Sequence, residues 1–287
     1  MPSGMGEWAL MTVDVNDGGT DSLTAAGWSS GGSAVLADLA PDAAKAFTLL
    51  ISVRPSGVHD ELLESPPVRA FAEQFRVDVS RIDDELRSQF TEATRIHQFS
   101  VAQMVWIGDA APRLRGALDT LFGPSEWAAP RRHPVRELWE TIDEFMRAVA
   151  RHHALDPTLT ELVRLRGARQ HSCRLCQSRR SVAAIEAGAD EALFASVDDH
   201  ASSDLPPATK AALALVDAMI WTPQDLPADV VADVRAQLTP EQAVEVVLDV
   251  VRNSTNKIAV ALGADAAEVT EGVQLFVTDA DGVLTTV

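Results

Sequence analysis

The sequence of 287 residues has no long hydrophobic run, no tyrosine and only two cysteines. No stretch approaches the roughly 18 continuous apolar residues that a membrane-spanning helix needs. The first residues, MPSGMGEWALMTVDVNDGG, also lack the basic start and apolar run of a signal peptide. Two cysteines cannot form a scaffold of several disulfides. We therefore expect a cytoplasmic protein that neither enters a membrane nor is exported.

Basic residues are scarce as well. The chain has 24 lysine and arginine residues against 42 aspartate and glutamate residues, which gives a net charge of −18. A surface this acidic repels phosphate backbones, and no basic stripe with interleaved aromatic residues offsets the repulsion. We therefore do not expect a nucleic acid partner. The apolar fraction of 46% is that of an ordinary globular protein and excludes a mostly disordered chain.

Helical periodicity covers most of the sequence, whereas strand-like alternation is scarce. Apolar residues recur at intervals of three and four in segments such as 34–50, 96–107 and 135–153. Thr239-Pro240 has the form of a helix start, and the helix that it opens is predicted to continue to Leu262. We therefore predict an all-α protein, a helical bundle of two tandem halves.

Breaks in this pattern predict the organisation of the chain. Gly, Ser, Asp and Asn dominate the N-terminal residues, and Gly and Pro interrupt the helical pattern near residue 123. Near the C-terminus the sequence alternates like a strand pair, with Asp281-Gly282 at the hairpin turn. The predicted regions are a flexible arm (1–33), a first helical half without cysteines (34–122), a linker (123–134), a second helical half (135–265) and a hairpin-like tail (266–287).

Cys173 and Cys176 are the most informative residues, because they form a CxxC pair. We predict that both lie in the first turn of a helix that runs from about 173 to 187 and ends before Gly188. The free N–H groups and partial positive charge of a helix start favour a thiolate over a thiol. Three nearby arginines add positive charge: Arg174, Arg179 and Arg180. This arrangement is typical of reactive cysteines.

A redox CxxC pair works in two steps. One thiolate attacks an electrophile such as a peroxide, and the other cysteine resolves the intermediate by closing a disulfide. Proton transfer accompanies both steps, and Glu161 and His171 are the nearest candidates for this task. The sequence therefore predicts a redox centre at Cys173 and Cys176.

Other interpretations of these residues stay open at this point. Glu161 follows Thr158 by three residues and would fit a helix capping box or a solvated helix face. His171 would also fit a surface connector. The cysteine pair could be half of a zinc site completed by His171 or by the histidines at 152–153, although no second CxxC or HxxxH is present. Two buried, inert cysteines are a further alternative. A thioredoxin-like domain would need a βαβ context that this helical region lacks.

Part of this sequence resembles a known motif. The matching positions are Glu161, the pair Cys173-Arg-Leu-Cys176 after eleven intervening residues, and the downstream Gly188. The motif is that of the alkylhydroperoxidase D-like members of the carboxymuconolactone decarboxylase family. The resemblance covers residues 135–265, and the first half then looks like a degenerate copy without cysteines. It implies an all-helical fold and a homo-oligomer, either a trimer or a hexamer.

The resemblance also implies roles for the site residues. Cys176 would attack the hydroperoxide, Cys173 would resolve the intermediate, and Glu161 would belong to a proton relay. The family has a histidine four residues after the second cysteine, where this sequence has Arg180. Arginine cannot shuttle a proton near neutral pH, and His171 is the residue that could substitute.

The sequence therefore predicts an oxidoreductase, a thiol-dependent hydroperoxide reductase that needs an external dithiol reductant and no bound cofactor or metal. Its partners would be a small hydroperoxide and a reductant protein or small dithiol. Two alternatives remain. One is a lyase that acts on a small carboxylate, as in the decarboxylase branch of the family, which works without the cysteine pair. The other is a non-catalytic, redox-responsive oligomer.

Overall fold

Helices dominate the part of the chain that the computed structural model describes, residues 28–130 and 137–287. Most of the predicted arm, 1–27, and the end of the predicted linker, 131–134, lie outside the described residues. The helices before the gap are α1 (Gly32–Leu39), α2 (Pro41–Leu50), α3 (Asp60–Leu63), α4 (Pro66–Asp78), α5 (Asp84–Thr94) and α6 (Gln98–Phe122). The predicted helix over 34–50 is thus divided at Pro41, which begins α2.

The part of the chain after the gap contains the remaining helices. They are α7 (Leu138–Ala150), α8 (Pro157–Gln170), α9 (Arg174–Gln177), α10 (Val182–Glu186), α11 (Glu191–Ala195), α12 (Pro207–Trp221), α13 (Ala228–Gln237), α14 (Pro240–Asn253) and α15 (Lys257–Ala261). Local signals place several starts: the Asp156 carboxylate accepts the first free N–H groups of α8, and Thr239 forms a capping box with Gln242 at α14.

A small sheet accompanies the helices. Its strands are β1 (Arg179–Ser181), β2 (Gln274–Thr278) and β3 (Leu284–Thr286), in the order β1-β2-β3. β2 and β3 pair antiparallel, and Gly282 lies in their turn with a φ of +79°. The predicted all-α class with a short C-terminal hairpin is therefore confirmed. The parallel pairing of β1 with β2 was not predicted, because it joins segments about 95 residues apart.

One hydrophobic core contains side chains from both sides of the gap. α2 packs along α7, and α6 packs along α14. Trp106 of α6 is fully buried and donates its indole N–H to the Ser254 hydroxyl over 2.9 Å. The two predicted halves therefore share a core, and their tandem relationship stays a prediction. None of the helices described is long and apolar enough to cross a membrane.

Two further predicted helices are wrong in extent. The helix expected over 173–187 is divided into α9, β1 and α10, because two arginine side chains take its backbone carbonyls. Arg164 of α8 binds those of Cys176 and Arg179, and Arg180, within the segment itself, binds that of Gln177. The helix expected to run from Thr239 to Leu262 is interrupted by a 3-10 turn, Ser254–Asn256. There the hydroxyls of Ser254 and Thr255 bond to helix carbonyls, which favours such interruptions.

Candidate functional site

Cys173 and Cys176 are joined by a disulfide, and their Cα atoms are 5.3 Å apart. Cys173 is the N-cap residue of α9, and its Sγ accepts the backbone N–H of Cys176 over 3.2 Å. Both residues are buried, with Cys173 1% exposed and Cys176 7% exposed. Cys176 is therefore the more exposed of the two cysteines.

The connection between α8 and α9 brings the pair to this position. Ser172 has a φ of +53° and occupies the left-handed position after the last residues of α8. Its N–H bonds to the carbonyl of Arg169, and the N–H of Cys173 bonds to the carbonyl of Ala168. This is the hydrogen-bond pattern of a Schellman motif, with serine where glycine is usual. The reversal places Cys173 directly at the start of α9.

Asp265 binds the first backbone N–H groups of α9. Its carboxylate accepts the N–H of Arg174 over 2.9 Å, and its backbone carbonyl accepts that of Leu175 over 2.9 Å. Burial raises the pKa of the Asp265 carboxyl, but its hydrogen bonds with Arg174 outweigh burial and hold the pKa below the ordinary value. The helix start that was expected to stabilise a thiolate is thus already paired with an anion.

The three arginines that were expected to supply positive charge are all paired with carboxylates. Arg174 Nη2 lies 2.7 Å from Asp265 Oδ1, and Arg179 Nη2 lies 2.8 Å from Glu268 Oε1. Arg180 Nε lies 2.9 Å from Glu191 Oε1. The positive charge around the cysteines is therefore largely neutralised in the folded chain.

Glu161 lies on α8 and forms a buried ion pair with Arg164. Arg164 Nε and Nη2 each lie 2.7 Å from one carboxylate oxygen, and the Glu161 side chain is only 1% exposed. Oε1 of Glu161 also accepts the N–H of Ser181 over 3.2 Å. A solvated face and a capping box with Thr158 are therefore both wrong for Glu161, since Asp156 caps this helix.

Arg164 connects Glu161 with the cysteine turn. Its Nη1 donates to the carbonyl of Cys176 over 2.8 Å, and its Nη2 donates to the carbonyl of Arg179 over 2.8 Å. The guanidinium carbon also lies 5.2 Å from the ring centroid of Phe276 in β2. One side chain thus holds the end of α9, the start of β1 and the Glu161 carboxylate in a fixed relation.

Arg180, at the position of the expected relay histidine, is 5% exposed. Its guanidinium makes two contacts of 2.9 Å with the carboxylate of Glu191 and donates to the carbonyls of Gln177 and Arg179. It also lies over the ring of Phe194, 5.3 Å from the centroid. Arg180 therefore fixes the backbone after Cys176, and in the described structure it makes no hydrogen bond to either cysteine sulfur.

His171 is the C-cap residue of α8 and is buried. Burial, together with the charges of Lys257 and Arg113, keeps the pKa of His171 well below its ordinary value. In the described structure its ring makes no hydrogen bond to Cys173 or Cys176. The surface position considered for His171 is wrong, and the structure places it near a buried ion pair between Lys257 and Asp109, whose Nζ and Oδ2 atoms are 2.6 Å apart.

The structure thus brings Cys173 and Cys176 together and ties Glu161 to them through Arg164. The sequence analysis missed two residues of this site, Arg164 and Asp265. Arg164 could have been found, because it follows Glu161 by three residues on a predicted helix, the spacing of an intrahelical ion pair. Asp265 follows α15 and has no local signal, because only the tertiary fold brings it to α9.

A metal site would need several ligands close together. Within residues 28–130 and 137–287, no group of three His, Cys, Asp or Glu residues is arranged to hold a metal ion. The two cysteine sulfurs are bonded to each other. The zinc arrangement considered for Cys173, Cys176 and nearby histidines is therefore not present in the described structure.

Comparison with known proteins identifies two relatives, both from Mycobacterium tuberculosis. They are the uncharacterized protein MT2376 of strain CDC 1551 / Oshkosh and the uncharacterized protein Rv2313c of strain ATCC 25618 / H37Rv. Each is 41% identical to this chain over 231 residues, a stretch that covers 76% of this chain and 81% of the relative. No protein-family model matches the sequence. No solved structure matches it significantly.

Proposed function

We propose that this chain, which belongs to the same family as the two uncharacterized mycobacterial proteins, is a thiol-dependent hydroperoxide reductase. Its redox centre would be the pair Cys173 and Cys176, and it would resemble the alkylhydroperoxidase D-like proteins. The observation that carries the proposal is the disulfide within one turn of α9. Two cysteines that form a disulfide with each other are what a peroxidatic and a resolving cysteine require.

The proposed reaction starts from the reduced pair. The Cys176 thiolate attacks the terminal oxygen of a hydroperoxide, so that the O–O bond breaks, Cys176 becomes a sulfenic acid, and the alkoxide leaves as an alcohol after taking a proton. The Cys173 thiol then attacks the sulfenic sulfur, a disulfide forms and water leaves. An external dithiol returns two electrons and two protons to the pair. The greater exposure of Cys176 supports its assignment as the attacking residue.

The alkoxide takes up the proton that the Cys176 thiol has lost, and a relay group must accept that proton and pass it on. Glu161 is the proposed relay group, because Arg164 holds its carboxylate on the same guanidinium that binds the Cys176 carbonyl. His171 is the other proposed participant, since it lies two residues before Cys173. Arg180, which cannot exchange a proton near neutral pH, is proposed to position the backbone that follows Cys176.

A second candidate function is a non-catalytic, redox-responsive oligomer. One observation favours it. In the described structure, none of the side chains of Glu161, His171 and Arg180 makes a hydrogen bond to a cysteine sulfur. The two functions predict different behaviour. A peroxidase turns over hydroperoxide, whereas a redox-responsive oligomer changes its assembly on reduction without turnover.

Self-association is part of both proposals. Near the start of α6, Ile96 is 91% exposed and Phe99 is 49% exposed, and the ring centroid of Phe99 lies 5.8 Å from that of Trp139 at the start of α7. Exposed apolar side chains that contact each other are typical of protein interaction surfaces. We propose that this patch contributes to a homo-oligomer, either a trimer or a hexamer by the family resemblance.

The test is the stoichiometry of thiol loss. Protein reduced with dithiothreitol and freed of it is mixed with cumene hydroperoxide, and free thiols and hydroperoxide are both counted. The proposal expects two thiols lost per hydroperoxide reduced, with repeated turnover once dithiothreitol is returned.

Cys173→Ser and Cys176→Ser are matched variants that separate the two roles. Cys176→Ser should not react with the hydroperoxide. Cys173→Ser should still reduce one equivalent and should then carry a sulfenic acid on Cys176 that dimedone traps. A Cys176→Ser variant that reacts at the wild-type rate would refute the proposal. Absence of turnover combined with a change in sedimentation on reduction would establish the redox-responsive oligomer instead.

A further inference from the structure

One residue, Asp265, binds both of the residues that lie between the two cysteines. Its Oδ2 accepts the backbone N–H of Arg174 over 2.9 Å, and its backbone carbonyl accepts that of Leu175 over 2.9 Å. Its Oδ1 also lies 2.7 Å from Nη2 of Arg174. Asp265 follows Arg174 by 91 residues. The tertiary fold therefore holds the turn at 173–176 through a single residue that is distant in the chain.

The third N–H group of this turn is bound by sulfur. Cys173 Sγ accepts the backbone N–H of Cys176 over 3.2 Å. Hydrogen-bond donors and positive charge are what stabilise a thiolate relative to a thiol. Of the three N–H groups of residues 174–176, Asp265 accepts two and a cysteine sulfur accepts one. Asp265 therefore occupies donors that would otherwise be free to stabilise a thiolate.

The charge of Asp265 lies inside the protein, whereas that of Arg174 lies at its surface. Burial raises the pKa of the Asp265 carboxyl, but the hydrogen bonds with Arg174 outweigh burial and keep the carboxyl ionised at neutral pH. The Asp265 side chain is 6% exposed and that of Arg174 is 62% exposed. Water and salt screen an exposed charge more than a buried one. The pair therefore acts on the turn as a net negative charge.

The other charged groups around the turn are paired with one another. A cleft of about 370 Å³ brings residues of α5 to the same surface as Arg174 and Asp265. His171 of α8 is neutral, because burial keeps its pKa well below the ordinary value. The ion pairs are Asp84 with Arg87 of α5, Glu161 with Arg164, Arg169 with Asp198, Arg179 with Glu268, Arg180 with Glu191, and Lys257 with Asp109. The balance between Asp265 and Arg174 therefore decides the local charge at the turn.

We infer that Asp265 is a positioning residue of the cysteine pair, which holds the turn at 173–176 and disfavours the thiolate that reduction of the disulfide can produce. The disulfide itself carries no charge, so the carboxylate acts on the reduced form alone. Asp265 therefore shifts the equilibrium toward the disulfide and makes the pair a stronger reductant. This inference rests on the proposed role of Cys173 and Cys176 as a redox centre, and it adds which residue sets the reduction potential of that centre.

The test is the equilibrium of the pair with dithiothreitol, in which no hydroperoxide takes part. A dithiothreitol thiolate attacks one cysteine sulfur and breaks the S–S bond, and the second dithiothreitol thiol then resolves the mixed disulfide. Dithiothreitol becomes a cyclic disulfide, and two electrons and two protons pass to the cysteines, one of which releases its proton to the buffer where it forms a thiolate. Alkylation of the free thiols after an acid quench gives the equilibrium constant. It is measured at pH 6 and pH 9, on either side of the ordinary thiol pKa of about 8.5.

Asp265→Asn keeps the backbone carbonyl and a side-chain oxygen but removes the charge. It should favour the reduced pair about tenfold at pH 9, or about 30 mV, and less than about twofold at pH 6, where both thiols keep their protons. Arg174→Gln removes the opposite charge and should favour the disulfide by about threefold at pH 9. Glu268→Gln is the matched control, because this carboxylate also pairs with an arginine but is 49% exposed, and its shift should stay below about twofold.

Shifts in the same direction for Asp265→Asn and Arg174→Gln would overturn the inference, because a loss of packing or hydrogen bonds does not depend on the sign of the charge removed. An equal shift of Asp265→Asn at both pH values would overturn it as well, as would a shift of equal size in Glu268→Gln. Where Asp265→Asn does not fold, Arg174→Gln decides alone, and a shift toward the reduced pair or no shift would refute the role of Asp265. A failed peroxidase assay would leave these equilibria unaffected.

Discussion

Replacing Arg164 by methionine tests whether Glu161 is held as a buried ion pair. The Glu161 side chain is 1% exposed and that of Arg164 is 13% exposed, and both Arg–carboxylate contacts measure 2.7 Å. Methionine retains the apolar stem but removes the charge. Because the variant leaves a buried carboxylate without its partner, the free energy of unfolding should fall by about 3–5 kcal/mol. Loss of the bonds to the carbonyls of Cys176 and Arg179 acts in the same direction.

The double variant Glu161→Gln with Arg164→Met isolates the pair. Since the glutamine carries no charge, removing Arg164 should cost less in its presence, and the coupling energy between the two positions should be about 2 kcal/mol. The measurement is urea denaturation of the oxidised protein, followed by circular dichroism. Arg54→Met is the control, because Arg54 is 41% exposed and pairs with Asp60, so it should cost less than about 1 kcal/mol.

A coupling energy indistinguishable from zero would refute this reasoning. So would a cost for Arg164→Met that is no larger than that of Arg54→Met. In either case the Glu161 carboxylate would not depend on Arg164, and the link between Glu161 and the Cys176 carbonyl would have no energetic basis.

Two further predictions concern the buried acid of α14 and the C-terminal tail. Burial, and next the charge of Asp249, raises the pKa of Glu245 to about 8 from an ordinary 4.5, so the folded state retains a proton that the unfolded chain releases. The free energy of unfolding should therefore fall by about 2 kcal/mol between about pH 6 and about pH 8. Denaturation curves of Glu245→Gln should show a weaker dependence on pH over this range. An equal dependence in the wild-type protein and the variant would contradict the raised pKa of Glu245. Gly282→Ala should cost more than about 1 kcal/mol, because a Cβ there would lie 2.5 Å from the carbonyl oxygen of Arg147. The control is Gly272→Ala, which shares the positive φ but has open space around it, and equal costs in the two variants would rule out the contact with Arg147.

The fold class was accessible from the sequence because it rests on local signals. Apolar spacing of three and four predicts helices wherever the chain lies, and capping residues such as Asp156 and Thr239 act on the next few N–H groups. The turn at Asp281-Gly282 is equally local, since the backbone conformation there favours glycine. These parts of the prediction are confirmed for the described residues.

The extent of the helix after Cys173 could not be read in the same way. Its local sequence favours one continuous helix, but Arg164 and Arg180 bind its carbonyls, and the tail adds β2 beside β1. Arg164 and the strand β2, both from elsewhere in the chain, therefore act together with Arg180 to decide where that helix ends. The same holds for the sites of Glu161 and His171, whose burial depends on which helices pack over them.

The sequence by itself determined that the chain is helical, acidic and provided with a CxxC pair at a helix start, because composition, periodicity and spacing are properties of neighbouring residues. Only the tertiary structure decided the electrostatics of that pair. Asp265, which follows α15, accepts hydrogen bonds from the N–H groups of Arg174 and Leu175 at the start of α9. Carboxylates also neutralise the nearby arginines. Charges act through space over several ångströms, so their effect on the cysteines depends on partners that are distant in the chain.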